Sequence, residues 1–152
     1  MFFLKVSREI LRFYEVSHCF LRTNVIITSL THQLIAEDEL LIAKVLRMQL
    51  ESIGFEVENF TDGREVFDKV KQMNPHIIIL DVHLKNNSCG FEVGREIRAA
   101  GIDTPIIFTT GNSFDNTHQM VKDIGKSSVL IKPVEFEQIL QMINQIKIIH
   151  NE

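Results

Sequence analysis

The run Ile77-Ile78-Ile79-Leu80, closed by Asp81, constrains this chain more than any other stretch. Four large apolar residues in succession, three of them β-branched, leave no polar face. The segment therefore reads as a strand covered on both sides. Strands of that kind belong to parallel sheets sandwiched between helices, and such sheets bind ligands in a crevice beyond their strands' carboxyl ends. A carboxylate placed there adds nothing to packing. Asp81 is the first candidate for chemistry.

Other stretches repeat the design. Leu34-Ile35-Ala36 runs into Glu37-Asp38-Glu39, Pro105-Ile106-Ile107-Phe108 into Thr109-Thr110-Gly111, and Val129-Leu130-Ile131 into Lys132-Pro133. If these strands are parallel, their polar ends gather at one sheet edge. Between them the chain alternates. A strand near 32–36 precedes a helix over 39–53, to which Leu41, Val45, Leu46 and Ile53 give an apolar side, with Gly54 as its C-terminal cap. Strand 55–60 precedes a helix that Thr61 caps and Asn74-Pro75 ends. Strand 76–80, the polar loop 85–90 and a helix over 91–100 follow, stopped by Gly101. Then come strand 105–109, a helix near 114–123 stopped by Gly125, strand 128–131 and a last helix over 135–149. The core stripe of that helix is Phe136, Ile139, Leu140, Ile143 and Ile146, whereas Met142, Ile148 and Ile149 suit edge packing or a partner surface equally. The expected fold is α/β: a doubly wound, five-stranded parallel sheet with helices on both faces.

Composition narrows the class. With 152 residues, 45% hydrophobic and 24% charged, the chain holds one soluble domain plus an arm. A net charge of −4 disfavours nonspecific nucleic-acid binding. Cys19 and Cys89 lack paired or metal-ligand spacing, and the six histidines are scattered, which argues for reduced thiols and against zinc. No apolar run is long enough for a membrane span, and Arg8, Glu9, Arg12 and Glu15 interrupt any signal-peptide core, so a cytoplasmic location is expected. Residues 1–30 form an aromatic-rich, mildly basic arm in which Val6, Ile10, Phe13 and Tyr14 suit a short amphipathic helix; 31–150 form the domain.

At the shared edge, Glu37, Asp38 and Asp81 would repel one another unless a cation neutralises them. A hard divalent ion such as Mg²⁺ (or Mn²⁺) takes oxygen ligands and shares its sphere with phosphate oxygens. With a lysine and hydroxyls added, the set suits phosphoryl transfer, and a carboxylate can itself be the nucleophile.

Glu37-Asp38, Asp81, Thr110-Gly111 and Lys132-Pro133, in this order at four strand ends, resemble the receiver domain of two-component response regulators over residues 31–150. The resemblance implies a flavodoxin-like receiver fold and a role for each residue. Asp81 would accept the phosphoryl group from a sensor histidine kinase or phosphotransfer protein. Asp38 would bind Mg²⁺ directly, Glu37 through water, and the backbone carbonyl of His83 would complete the protein ligands. Thr110 and the Gly111 N–H would hold one phosphoryl oxygen and Lys132 another, with a cis bond between Lys132 and Pro133. Such a protein is a signalling phosphoacceptor rather than an enzyme. It binds neither nucleic acid nor membrane and acts on a downstream protein that the sequence does not name; a homodimer stays open.

The chain departs from the family in four ways. Lys85 stands where a proline is usual, and the loop to Gly90 is one residue longer. Val129 replaces the usual switch aromatic. The sequence ends at Glu152, and a stand-alone receiver without an output domain is expected. Two other readings remain: an aspartyl-phosphate phosphatase of the haloacid dehalogenase type, which would want an aspartate where His83 stands, and a receiver-like scaffold that is never phosphorylated.

Overall fold

A computed structural model describes residues 32–111 and 117–150, without the side chains of 147–150. The expected arm over residues 1–30, Cys19 and the start of the helix expected near 114 lie outside the described residues. Five strands, β1 (His32–Ala36), β2 (Glu56–Phe60), β3 (Ile77–Asp81), β4 (Ile106–Thr110) and β5 (Ser127–Ile131), form one sheet in the order β2-β1-β3-β4-β5. Every neighbouring pair is parallel. Five helices alternate with them: α1 (Leu40–Ser52), α2 (Gly63–Met73), α3 (Gly90–Ala99), α4 (Thr117–Ile124) and α5 (Phe136–His150). This is the doubly wound α/β sandwich expected from the alternation.

Side-chain alternation along each strand splits the core in two. Leu34, Ala36, Ile78, Leu80, Ile106 and Phe108 point to the face covered by α2, α3 and α4. Ile35, Ile77, Ile79 and Ile107 point to the face covered by α1 and α5, where Ile139 and Ile143 meet them. All five residues of β3 are buried, as a central strand requires. Truncating one of its isoleucines to alanine would cost about 2–5 kcal/mol through lost transfer energy and the cavity left behind.

The helices start and stop for local reasons. Asp62, rather than Thr61, caps α2, because its carboxylate accepts the Arg64 N–H at 3.0 Å. The chain leaves α2 through Asn74 in the left-handed region at φ 48°, and Pro75 follows. Helix α1 departs from expectation. Ala43 and Leu50 form its buried face, with Leu46 and Ile53 packed beside them, while Leu41 and Val45 stand on the exposed side. A periodicity of 3.6 marks an apolar stripe but does not say which of two adjacent stripes meets the sheet.

The loop between β3 and α3 is a small hairpin. His83 bridges Cys89 in antiparallel fashion, and the Leu84 N–H donates to the Ser88 carbonyl at 3.1 Å. Asn86 and Asn87 both take positive φ, at 60° and 55°, and the Ser88 N–H closes on the Lys85 carbonyl at 3.2 Å. That is the geometry of a type I′ turn, for which asparagine is well suited. The Asn86 side chain donates to Asp62 at 2.8 Å and the Lys85 N–H to the Thr61 carbonyl at 3.2 Å, which ties the hairpin to the start of α2. Lys85 in place of proline is therefore not neutral: its N–H is in use.

Candidate functional site

The strand order places the site. From β1 the chain passes to β2 on one side, and from β3 it passes to β4 on the other, so the loops after β1 and β3 diverge and leave a crevice between them. Glu37 and Asp38 follow β1, and Asp81 closes β3. One carboxylate oxygen from each lies within 4.8 Å of the other two. Glu37 and Asp81 are 4% and 3% exposed, whereas Asp38 is half-buried.

Lys132 reaches the pair from the end of β5. Its Nζ donates to Asp81 Oδ2 at 2.7 Å and to Glu37 Oε2 at 2.9 Å. The Lys132 N–H donates to the Thr110 carbonyl at 2.7 Å, which fixes the base of the side chain beside β4. The peptide bond from Lys132 to Pro133 is cis, as the resemblance implied. Two backbone donors complete the cluster. The His83 N–H reaches Asp81 Oδ1 at 3.1 Å, and the Glu39 N–H reaches Glu37 Oε1 at 3.2 Å.

The electrostatics follow from this crowding. Burial pushes the Glu37 carboxyl up to about 7. The Lys132 hydrogen bond works against that rise, and the negative charge of Asp81 adds to it. Partial burial pulls the Lys132 ammonium down, but its bonds to Asp81 and Glu37 and their charges outweigh this and leave it above its ordinary value. One ammonium therefore serves two carboxylates, with a third close by. The cluster is short of positive charge. Three carboxylates at this spacing, oxygen donors without sulfur or nitrogen, are the donor set of a hard divalent cation.

Each residue picked out in the sequence can be located. Glu37, Asp38, Asp81 and Lys132 come together. The β3–β4 register pairs Asp81 with Thr109, so Thr110 sits one position further along, fully buried. Gly111 follows on the exposed rim, where a Cβ would meet nothing within 4 Å. His83 has an exposed side chain, and its backbone N–H faces Asp81.

Sequence reasoning missed two contributors. The Glu39 N–H holds Glu37, a role that no side-chain identity announces. Gly90 runs so close to β3 that a Cβ there would lie 2.2 Å from the Asp81 carbonyl oxygen. Its position at the end of a polar loop was visible; that approach was not.

Known proteins of one family share this fold. The family model of the response regulator receiver domain matches residues 34–144. The transcriptional regulatory protein YkoG of Bacillus subtilis, itself uncharacterized, is 36% identical over 112 residues, covering 74% of this chain and 49% of its own. The transcriptional regulatory protein CreB of Escherichia coli is 36% identical over 99 residues, covering 65% of this chain and 43% of its own. The chain thus spans about half the length of these curated relatives. Among solved structures, chemotaxis protein CheY4 of Vibrio cholerae aligns with TM-score 0.71 at 28% identity, over 78% of this chain and 99% of that one. The receiver domain of a modulated diguanylate cyclase from Desulfovibrio desulfuricans aligns with TM-score 0.67 at 33% identity, over 78% and 94%.

Proposed function

The chain belongs to the response regulator receiver family, and from that premise we propose that it accepts a phosphoryl group on Asp81 and signals through the protein it then binds. The observation that carries this reading is the ion-pair cluster: Lys132 Nζ on Asp81 and Glu37, with Asp38 within reach. The donor is a sensor histidine kinase or a phosphotransfer protein, and the reaction takes place in the cytoplasm. Among the described residues no helix is long and apolar enough to cross a membrane.

The step is an in-line displacement. An oxygen of Asp81 forms a bond to phosphorus as the bond from phosphorus to the donor's imidazole nitrogen breaks, and the freed imidazole keeps that electron pair. Asp81 suits the nucleophile's role because its carboxylate lies against the Lys132 ammonium and is held by the His83 N–H. Lys132 exchanges its contact with the carboxylate for a phosphoryl oxygen. Thr110, with the Gly111 N–H, takes a second oxygen. Asp38 directly, Glu37 through water and the His83 carbonyl would hold Mg²⁺ (or Mn²⁺). When bound, such an ion neutralises charge on the phosphoryl oxygens. Catalysis here is positioning and charge neutralisation, which suits a protein that modifies itself rather than turning over a substrate.

The relatives named transcriptional regulatory proteins extend well beyond the region they share with this chain. We therefore assign this chain only the receiver's part.

The test is incubation with acetyl phosphate, read by intact mass. Mg²⁺-dependent gain of one phosphoryl group, blocked by EDTA and absent in Asp81→Asn, is the expected result. An equal gain in Asp81→Asn, or no gain at saturating Mg²⁺ in a folded chain, overturns the reading.

A further inference from the structure

A half-open groove of about 620 Å³ lies between α1 and α5 and runs into the candidate site. Ile35 of β1 and Ile79 of β3 form its floor, Ile42 and Val45 line it from α1, and Ile139 lines it from α5. Glu37, Thr109 and Lys132 line the end that meets the site. Strand register explains this continuity. Ile77 and Ile79 face α1 and α5, so alternation sends the Asp81 side chain to the same side of the sheet. Ile35 precedes Glu37, and Ile107 precedes Thr109, in the same way, and pairing sets these residues beside Ile79 and Asp81. The acceptor carboxylate therefore stands at the head of an apolar trough. Apart from Glu37, Glu39 and Lys132, the described lining carries no charge. Mostly apolar walls with a few polar groups gathered at one end are the character of a small-molecule site.

We propose that this groove is a donor subsite, and that Asp81 takes phosphoryl groups directly from acyl phosphates whose acyl group is apolar and larger than acetyl. The inference rests on Asp81 as the acceptor and adds a class of small-molecule donor to the donor protein. Three observations select this occupant. The first is direction. An in-line displacement puts the leaving oxygen on the far side of phosphorus from Asp81. Because Asp81 projects on the α1 and α5 side, the leaving group lies in the layer of those helices, where the groove is. The second is charge. The phosphoryl group meets Lys132, the one cation of the described lining, and an uncharged tail meets the apolar walls. A nucleotide or sugar phosphate would instead bury polar groups there without partners. The third is the chemistry of departure. An oxygen of Asp81 bonds to phosphorus as the bond from phosphorus to the acyl oxygen breaks. The carboxylate leaves with that electron pair and needs no proton, whereas an alkyl phosphate would have to expel an alkoxide.

The test compares acetyl phosphate with butyryl phosphate on the full chain, at equal concentrations below saturation with Mg²⁺, read by intact mass. The two leaving carboxylates are of nearly equal basicity, so a difference in rate reports contact with the acyl chain. Two further methylenes in a half-open apolar groove should make butyryl phosphate about fivefold faster. Val45→Asn places a neutral polar group on the wall at a position 47% exposed. It should bring the ratio of the two rates close to one while leaving uptake from acetyl phosphate unchanged. Leu41→Gln, on the same wall and 72% exposed, should lower the ratio too and keeps the test decisive if the first variant does not fold. Uptake from acetyl phosphate at Asp81 with no advantage for butyryl phosphate overturns the subsite and leaves the receiver reading standing. An advantage that survives both variants overturns it as well. Uptake from neither donor overturns both readings. A dimer in sedimentation that Val45→Asn dissociates, with equal rates for the two donors, would show that a second copy fills the groove and overturns the subsite.

Discussion

Gly90→Ala is the sharpest structural perturbation available, because it pushes on the backbone of Asp81. A Cβ at Gly90 would lie 2.2 Å from the Asp81 carbonyl oxygen and 3.0 Å from both the Asp81 carbonyl carbon and the Val82 Cα. Carbon and oxygen in contact settle at about 3.3 Å, so the start of α3 and the end of β3 must part by about 1 Å. No side chain can swing aside, since every atom met is backbone. The Gly90 N–H to Val82 carbonyl bond, 2.8 Å long, lies in the path of that movement. Overpacking of this kind costs about 1–3 kcal/mol, and a backbone-on-backbone clash belongs at the upper end, about 3 kcal/mol. For a chain of this length that lowers Tm by about 6–12 °C. Urea and thermal unfolding measure the loss, with Gly111→Ala as control because a Cβ there meets nothing within 4 Å. Because the displaced atom belongs to Asp81, phosphoryl uptake should also slow under conditions where the variant is fully folded. A Gly90→Ala variant as stable as the Gly111→Ala control refutes the reasoning.

Removing Asp38 should weaken Mg²⁺ binding: the parent's Tm should climb with Mg²⁺ and that of Asp38→Ala should lag, whereas identical titrations would contradict its role as a ligand. In the metal-free chain, burial raises Glu37 from 4.5 to about 7, so the folded state holds that proton to higher pH than the unfolded state does. Stability must then fall as pH rises between these values, by up to about 3 kcal/mol, and Glu37→Gln should flatten the profile while keeping an acceptor for Lys132; parallel profiles would show the assignment to be wrong. Arg98 donates to the carbonyls of Ile102, Gly125 and Lys126, closing the ends of α3 and α4. Arg98→Met should cost about 2–3 kcal/mol in urea unfolding and speed amide exchange over 98–102 and 124–126, and an unaffected midpoint would remove it from the framework.

What the sequence made readable tracks what was doubly determined. Ile77–Asp81 is legible because burial on both faces leaves only one assignment for such a run. Glu37, Asp38, Asp81 and Lys132 converge because all parallel strands end at one edge, so strand assignment alone places them together. The end of β4 is legible to the same depth: Thr110 and Gly111 fall at the edge, but what the Thr110 hydroxyl faces depends on packing. Single-contact features are harder to read. Thr61 and Asp62 are both good caps, and only backbone geometry selects Asp62. Leu41 and Val45 repeat at the right interval yet face outward, because Ala43 and Leu50 occupy the inward face of α1. The type I′ turn at Asn86-Asn87 was written in the pair of asparagines, but the extra residue drew attention to length instead of turn chemistry. The approach of Gly90 to β3 is a property of two segments at once and has no local signature.

The central claim is that Asp81 itself carries the phosphoryl group. Borohydride converts an aspartyl phosphate to homoserine at the phosphorylated position, so reduction after phosphorylation, followed by peptide mapping, reads the site directly. The account predicts that the converted residue is number 81, that conversion requires Mg²⁺, and that Lys132→Ala lowers its yield. Conversion at Glu37 or Asp38, or at Asp81 irrespective of Mg²⁺ and Lys132, would contradict it.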